Sequence, residues 1–185
     1  MFKSKLKIPP NDGDQRKGSL KAPVVLVQYG DFQCSPCRKL MPVLEDLKNH
    51  FGEDLCFIYR HFPLRSIHPA AEFAAIAAEA AGVQGQFWPM HHLLFQNQNE
   101  LDAMTIKALG SSLNLSRKQF LEDLNLPILR EKVQNDFNGG VRSGVNGTPC
   151  LYLNGARYTG LFSYKMLSQE IEELRKPKGL FSFFS

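Results

Sequence analysis

The sequence is poor in cysteine: four in 185 residues, too few for a disulfide-stapled scaffold. It has no apolar run near the ~18–20 residues of a membrane-crossing helix, so no membrane insertion is expected. Neither sign of charge dominates. The 22 basic and 18 acidic residues leave a net +4, and without a block of like charge neither global disorder nor a polyelectrolyte partner is indicated. DNA- and RNA-binding motifs are absent, so no nucleic acid is expected as a partner. Internal repeats and low-complexity segments are absent too. A secretory signal needs an apolar stretch of ~7–15 residues. Here the basic Met1–Lys7 runs directly into Ile8-Pro9-Pro10-Asn11-Asp12. As written, the chain reads as cytoplasmic; a mature form with an added Met would look the same and be periplasmic or extracytoplasmic.

What is present is a chain that is 43% apolar, long enough to bury a core without staples as one domain, or one domain carrying an insertion. Fourteen Phe suggest an aromatic-rich core or groove. Residues 1–23, dense in Pro, Gly and charge, read as an irregular arm. Val24-Val25-Leu26-Val27 is a continuous apolar run that fits a strand buried on both faces. After Cys34-Ser35-Pro36-Cys37, the spacing of Leu40, Val43, Leu44 and Leu47 predicts a helix, kinked at Pro42. Leu55–Tyr59 is a second strand, and strand–helix–strand makes a parallel βαβ unit.

Residues 64–126 read as helices only. Ile67–Val83 is Ala-rich, with Glu72 and Glu79 on one polar face. Gln86–Gln96 carries Trp88 and several Phe, read as the core of this helical block. Ile106–Leu113 is short and amphipathic, and Ser116 with Gln119 resembles a capping box. Pro127 opens a helix with Leu129, Val133, Phe137 and Val141 every fourth residue. Cys150–Leu153 is a strand, Asn154-Gly155 a hairpin signal, and Ser163–Arg175 a last helix. Residues 177–185 form a Phe-rich tail.

Cys34-Ser35-Pro36-Cys37 carries the chemistry. It sits where a strand hands over to a helix, so Cys34 lies at a helix N-terminus. Unpaired N–H groups and the helix dipole stabilise a thiolate there. Cys37, one turn on, is placed as a buried partner. The three-residue offset lets the two sulfurs meet in a tight ring. An exposed, acidic attacking thiol with a resolving thiol nearby is what thiol–disulfide exchange needs. Three alternatives stand beside this reading. A structural zinc site wants four ligands, whereas Cys56 and Cys150 are isolated and His91-His92 are adjacent. Covalent haem attachment needs His where Arg38 stands. A purely structural Cys pair is the third. No metal is expected.

At this point the sequence resembles the thioredoxin superfamily. It shares the βαβ…ββα order, a CxxC after the first strand, Thr148-Pro149 before a later strand, and Pro42 five residues past Cys37. The helical block and the strings Tyr29-Gly30-Asp31-Phe32-Gln33-Cys34, Arg60-His61-Phe62-Pro63-Leu64 and Val145-Asn146-Gly147-Thr148-Pro149 resemble its DsbA-like branch. The resemblance implies an α/β thioredoxin fold (βαβ…αββα) with an all-helical insertion. Residues 24–63 and 127–176 would form the fold, 64–126 the insertion, 1–23 an arm and 177–185 a tail. It further implies a cis peptide at Pro149, with Thr148 and Pro149 binding substrate backbone beside the motif residues Ser35 and Pro36. In a parallel βαβ unit both strands end at one sheet edge, which would hold Cys34, His61 and Phe62; His61 reads first as a satisfied strand-end residue, and lining the site is its alternative.

Three departures bear on function. Gln28 stands where many relatives have an acid, so proton transfer from Cys37 needs water or another group. Pro36 replaces the His of strongly oxidising DsbA relatives, so a less oxidising couple is expected. Cys150 follows Pro149 directly, but on a strand it points to the opposite face and reads as core, like Cys56. His50, His68, His91 and His92 read as structural or surface residues. The expectation is a monomeric protein-disulfide oxidoreductase without a cofactor. Its partners would be cysteine-containing proteins or peptides and a redox recycling protein. The rival readings are a partner-binding module without turnover and a metal-binding CxxC protein.

Overall fold

The structure is a computed structural model that describes residues 4–176; the expected tail at 177–185 and the first three residues lie outside the described residues. Five strands form one sheet: β1 (Gln15–Lys17), β2 (Val24–Gly30), β3 (Leu55–His61), β4 (Cys150–Leu153) and β5 (Ala156–Arg157), in the order β1-β3-β2-β4-β5. The central pair β2 and β3 is parallel, from Val24 opposite Leu55 to Gly30 opposite His61. Both strands are covered on both faces, which their largely apolar sequences suit. The remaining pairings are antiparallel.

Seven helices complete the chain among the described residues: α1 (Ser35–Phe51), α2 (Ala71–Val83), α3 (Phe87–Gln96), α4 (Ala103–Ser111), α5 (Arg117–Asp123), α6 (Pro127–Ser143) and α7 (Tyr164–Arg175). Strand alternation sorts the core into two clusters. Leu26, Phe57, Tyr59 and Leu151 face α1, α7 and the helical insertion α2–α5. Val27, Tyr29, Ile58, Phe62, Cys150 and Tyr152 face the other way, against Phe137 of α6 and Leu6 and Leu20 of the N-terminal segment. Phe62 stacks on Phe137 at 4.6 Å. Gly140 lets α6 approach this closely: a Cβ there would lie 2.6 Å from the Phe62 ring.

Local signals read from sequence recur in place. Ser116 accepts from the Gln119 N–H at the start of α5, and Ser163 caps α7. Asn154 and Gly155 take φ of 45° and 79°, the pair of positive values that a type I′ hairpin requires.

Three expectations change. The arm is not wholly irregular: β1 pairs with β3, and Lys5 bridges Ala156. The reason is Arg60, whose buried guanidinium binds both carboxylate oxygens of Asp14 at 2.7 and 2.9 Å and the carbonyls of Ile8 and Pro9. Glu79 is not on a polar face but buried, bound to His61 at 2.9 Å and to Gln15 at 2.7 Å, because α2 is covered on several sides by α3, α4 and α6. Val141 is exposed while Leu129 and Val133 are buried. A strict four-residue spacing drifts about 40° per step around a helix, so the fourth member of the row has rotated away from the core.

Candidate active site

The β2–α1 turn carries the two cysteines to the carboxyl end of the parallel strands, where sites form in such sheets. Cys34 is the N-cap of α1, with backbone angles of −78° and 112°, and Pro36 occupies the first turn, where its missing N–H is not needed. The Cys34 carbonyl accepts from Cys37 N at 3.0 Å and Arg38 N at 3.2 Å, so the first turn of α1 closes on the motif itself. Ser35 and Pro36 are exposed.

Thr148 and Pro149 face this turn across the sheet edge. Their peptide bond is cis, and the Cys34 thiol donates to the Thr148 carbonyl at 3.2 Å. Cys34 retains 5% of its surface and Cys37 none. Cys34 is therefore less exposed than the sequence predicts, with the Thr148 carbonyl against its thiol. All four cysteines are free thiols.

The two sulfurs differ in acidity. A hydrogen bond from the Cys37 thiol is the chief influence bringing Cys34 down to about 6, and burial and the Asp31 charge oppose it. Burial pushes Cys37 well above the ordinary thiol range, and the Cys34 charge adds to this. The low value arises without a neighbouring cation, since the motif has no His. A small cavity of about 20 Å³, room for roughly one water, lies behind Cys37 and is bordered by Gln28, Glu45, Lys48 and His91.

The acidity of Cys34 sets a pH signature. Alkylation of the reduced protein by iodoacetamide is expected to rise with pH along a midpoint near 6, and Cys37→Ala is expected to move that midpoint upward; mass spectrometry of Cys34 labelling against pH checks both. The sign for stability follows from the lowered native value. The reduced fold has its full benefit above the unfolded thiol value and loses it as pH falls through about 6.

Other expected site residues are placed elsewhere. His61 takes its first reading, a satisfied strand-end residue, and neither it nor Phe62 lines the edge. His61 has no exposed surface and turns inward to Glu79, while strand alternation sends Phe62 to the α6 face. Cys150 lies in the cluster across the sheet from Cys34 and Cys37, and burial raises its thiol. His61, Glu79 and Asp136 place possible ligand atoms within 4.8 Å of one another. Lys132 already holds both oxygens of Asp136 at 2.7 Å, so that carboxylate is charge-compensated by a protein group.

Residues not singled out from sequence surround the motif. Asp31, buried, accepts from Gln33 N at 2.7 Å and Leu64 N at 2.8 Å and pairs with His68 at 2.8 Å. Gln33 accepts from Ala70 N at 2.7 Å. Gln98 donates to the carbonyls of Phe32 and Cys34 at 2.7 and 2.9 Å. Asp31 and Gln33 stand beside the CxxC in the sequence; nothing local marks Gln98, 64 residues away.

The thioredoxin family model matches residues 11–173. BdbD of Bacillus subtilis superposes with a TM-score of 0.81 at 20% identity, covering 95% of this chain and 98% of that one. The thiol-disulfide exchange protein alpha-DsbA2 of Wolbachia pipientis gives 0.79 at 20%, covering 89% and 88%. The catalytic domain of Proteus mirabilis ScsC gives 0.78 at 21%, covering 90% and 92%. Curated relatives include Na+/H+ antiporters NhaA 1. That of Mycolicibacterium vanbaalenii is 35% identical over 89% of this chain and 27% of its own length; that of Salinispora arenicola is 38% identical over 86% and 24%. The chain thus spans about a quarter of these relatives' length. With a family match along most of its length and a fold shared over 89–95% of the chain with DsbA-like proteins, the chain belongs to the thioredoxin family and has the DsbA-like form of its fold.

Proposed function

We propose that the chain is a thiol:disulfide oxidoreductase that exchanges a Cys34–Cys37 dithiol or disulfide with protein or small-molecule thiols. The observation that carries the reading is the pairing of an acidified Cys34 at a helix N-terminus with a buried Cys37 one turn behind it, beside the Thr148–Pro149 loop. In the reducing direction the Cys34 thiolate attacks one sulfur of a substrate disulfide. A mixed disulfide forms and the other substrate sulfur leaves as a thiolate. Cys37 then loses its proton and attacks the Cys34 sulfur. The intramolecular disulfide closes and the second substrate thiolate departs, two electrons having passed to the substrate. The oxidising direction is the reverse, opened by a substrate thiolate attacking Cys34.

Thr148 and Pro149 border the place where substrate backbone would lie. Gln28 cannot take the Cys37 proton, and we assign its transfer to a water admitted to the cavity behind Cys37. No cofactor enters the cycle. A cysteine-containing substrate and a redox partner that resets the pair complete it, and the compartment decides the direction.

The midpoint potential of the Cys34–Cys37 couple tests the reading. Equilibration with glutathione is expected to give a value between about −280 and −100 mV. A couple below about −300 mV, as structural disulfides show, would reject turnover. That result would favour a second reading, suggested by the match to a quarter of antiporter chains: a module that docks on a membrane transporter and keeps the fold without the chemistry.

A further inference from the structure

We propose that Gln98, in the helical insertion, is a positioning residue for the redox turn: its side-chain amide holds the carbonyls of Phe32 and Cys34 and thereby sets the reactivity of the Cys34 sulfur. The residue sits in a single 3-10 turn, Gln98–Glu100, between α3 and α4. One NH2 group makes both bonds, at 2.7 Å to Phe32 and 2.9 Å to Cys34. The orientation of the amide is thereby fixed, since the reverse would set its oxygen against two carbonyl oxygens.

Gln98 is 5% exposed, and its Oε1 is buried without a partner. An unpartnered buried acceptor is destabilising, and Met would fill the same space without it. What the amide contributes at this position is its two donors. The Cys34 carbonyl is the first acceptor of α1, and the Phe32 carbonyl belongs to the same turn. Carbonyl oxygens are the negative ends of their dipoles, and they disfavour a thiolate beside them unless donors engage them. The Cys34 carbonyl already accepts from Cys37 N and Arg38 N; Gln98 adds a further donor there and a side-chain donor on the Phe32 carbonyl, from outside the thioredoxin core. The insertion also grips the turn from the other side, through Ala70 N on Gln33.

The inference rests on the reading of Cys34 as the attacking thiol, and its test reads that thiol apart from turnover. The ultraviolet absorbance of the thiolate is titrated in the reduced wild type, Gln98→Met and Gln98→Glu, with Cys34→Ser as the blank. Gln98→Met is expected to raise the midpoint by about half a unit to one unit, as loss of one or two hydrogen bonds favouring the charged form would. Gln98→Glu is expected to raise it at least as much, because it is either ionised or left with a single donor. If Gln98→Met does not fold, Gln98→Glu decides. Lowered thermal stability with an unmoved midpoint would reduce Gln98 to a packing residue and overturn the proposal. A raised midpoint in a protein that reduces no insulin would uphold it while rejecting the enzyme reading.

Discussion

Cys34→Ser is expected to lower insulin-reducing turnover by at least roughly a thousandfold, to the level of buffer dithiol alone. Oxygen at this position is a far weaker nucleophile, and the hydrogen bond from Cys37 that acidifies the thiol cannot ionise a hydroxyl to a useful degree. Cys37→Ser is expected to fail differently. Cys34 would still attack a substrate disulfide, but no sulfur would stand behind it to release the product, so mixed disulfides would accumulate. Non-reducing gels and mass spectrometry after incubation with a disulfide-bonded protein separate the two cases. Full activity of Cys34→Ser would remove the oxidoreductase reading at once. Equal accumulation of adducts by wild type and Cys37→Ser would show that Cys37 does not resolve them.

The second large effect is on stability. Asp14→Ala is expected to cost about 3–5 kcal/mol, because it leaves the Arg60 guanidinium buried without its carboxylate. The remaining acceptors of Arg60 are the Ile8 and Pro9 carbonyls and the Tyr29 hydroxyl, none of which carries a compensating charge. Replacing both partners, Asp14→Leu with Arg60→Met, is expected to recover most of the loss, since no charge then stays in the interior. Urea unfolding of the two single variants and the double variant measures this. A loss below about 1 kcal/mol for Asp14→Ala, the range of an exposed pair, would mean that the N-terminal segment is not held closed on the sheet by this pair.

The two effects illustrate which features a sequence displays. Cys34 and Cys37 are three positions apart, so one helical turn brings them together whatever the rest of the chain does. Their acidity difference was legible in direction, because a helix N-terminus favours a thiolate. Its main source was not, since it is the Cys37 thiol itself. Cys150 could be assigned to the opposite face from period-two alternation alone. Glu79 misled because its seven-residue spacing from Glu72 is a surface pattern only where nothing packs over it, and here His61 and Gln15 do. His61 and Phe62 were legible as strand-end residues, but which way each turned depended on α2 and α6.

Periodicity, turn chemistry and the CxxC spacing determined the order of the helices and of every strand after β1, the hairpin at Asn154-Gly155 and the candidate redox pair, since each follows from contacts within a few residues. Tertiary structure alone decided the burial of Arg60 with Asp14, the Asp31–His68 pair, the cavity behind Cys37 and the reach of Gln98 to the redox turn. These join residues tens of positions apart. A polar side chain carries no mark of whether it will end in water or in the interior until the chain has closed around it.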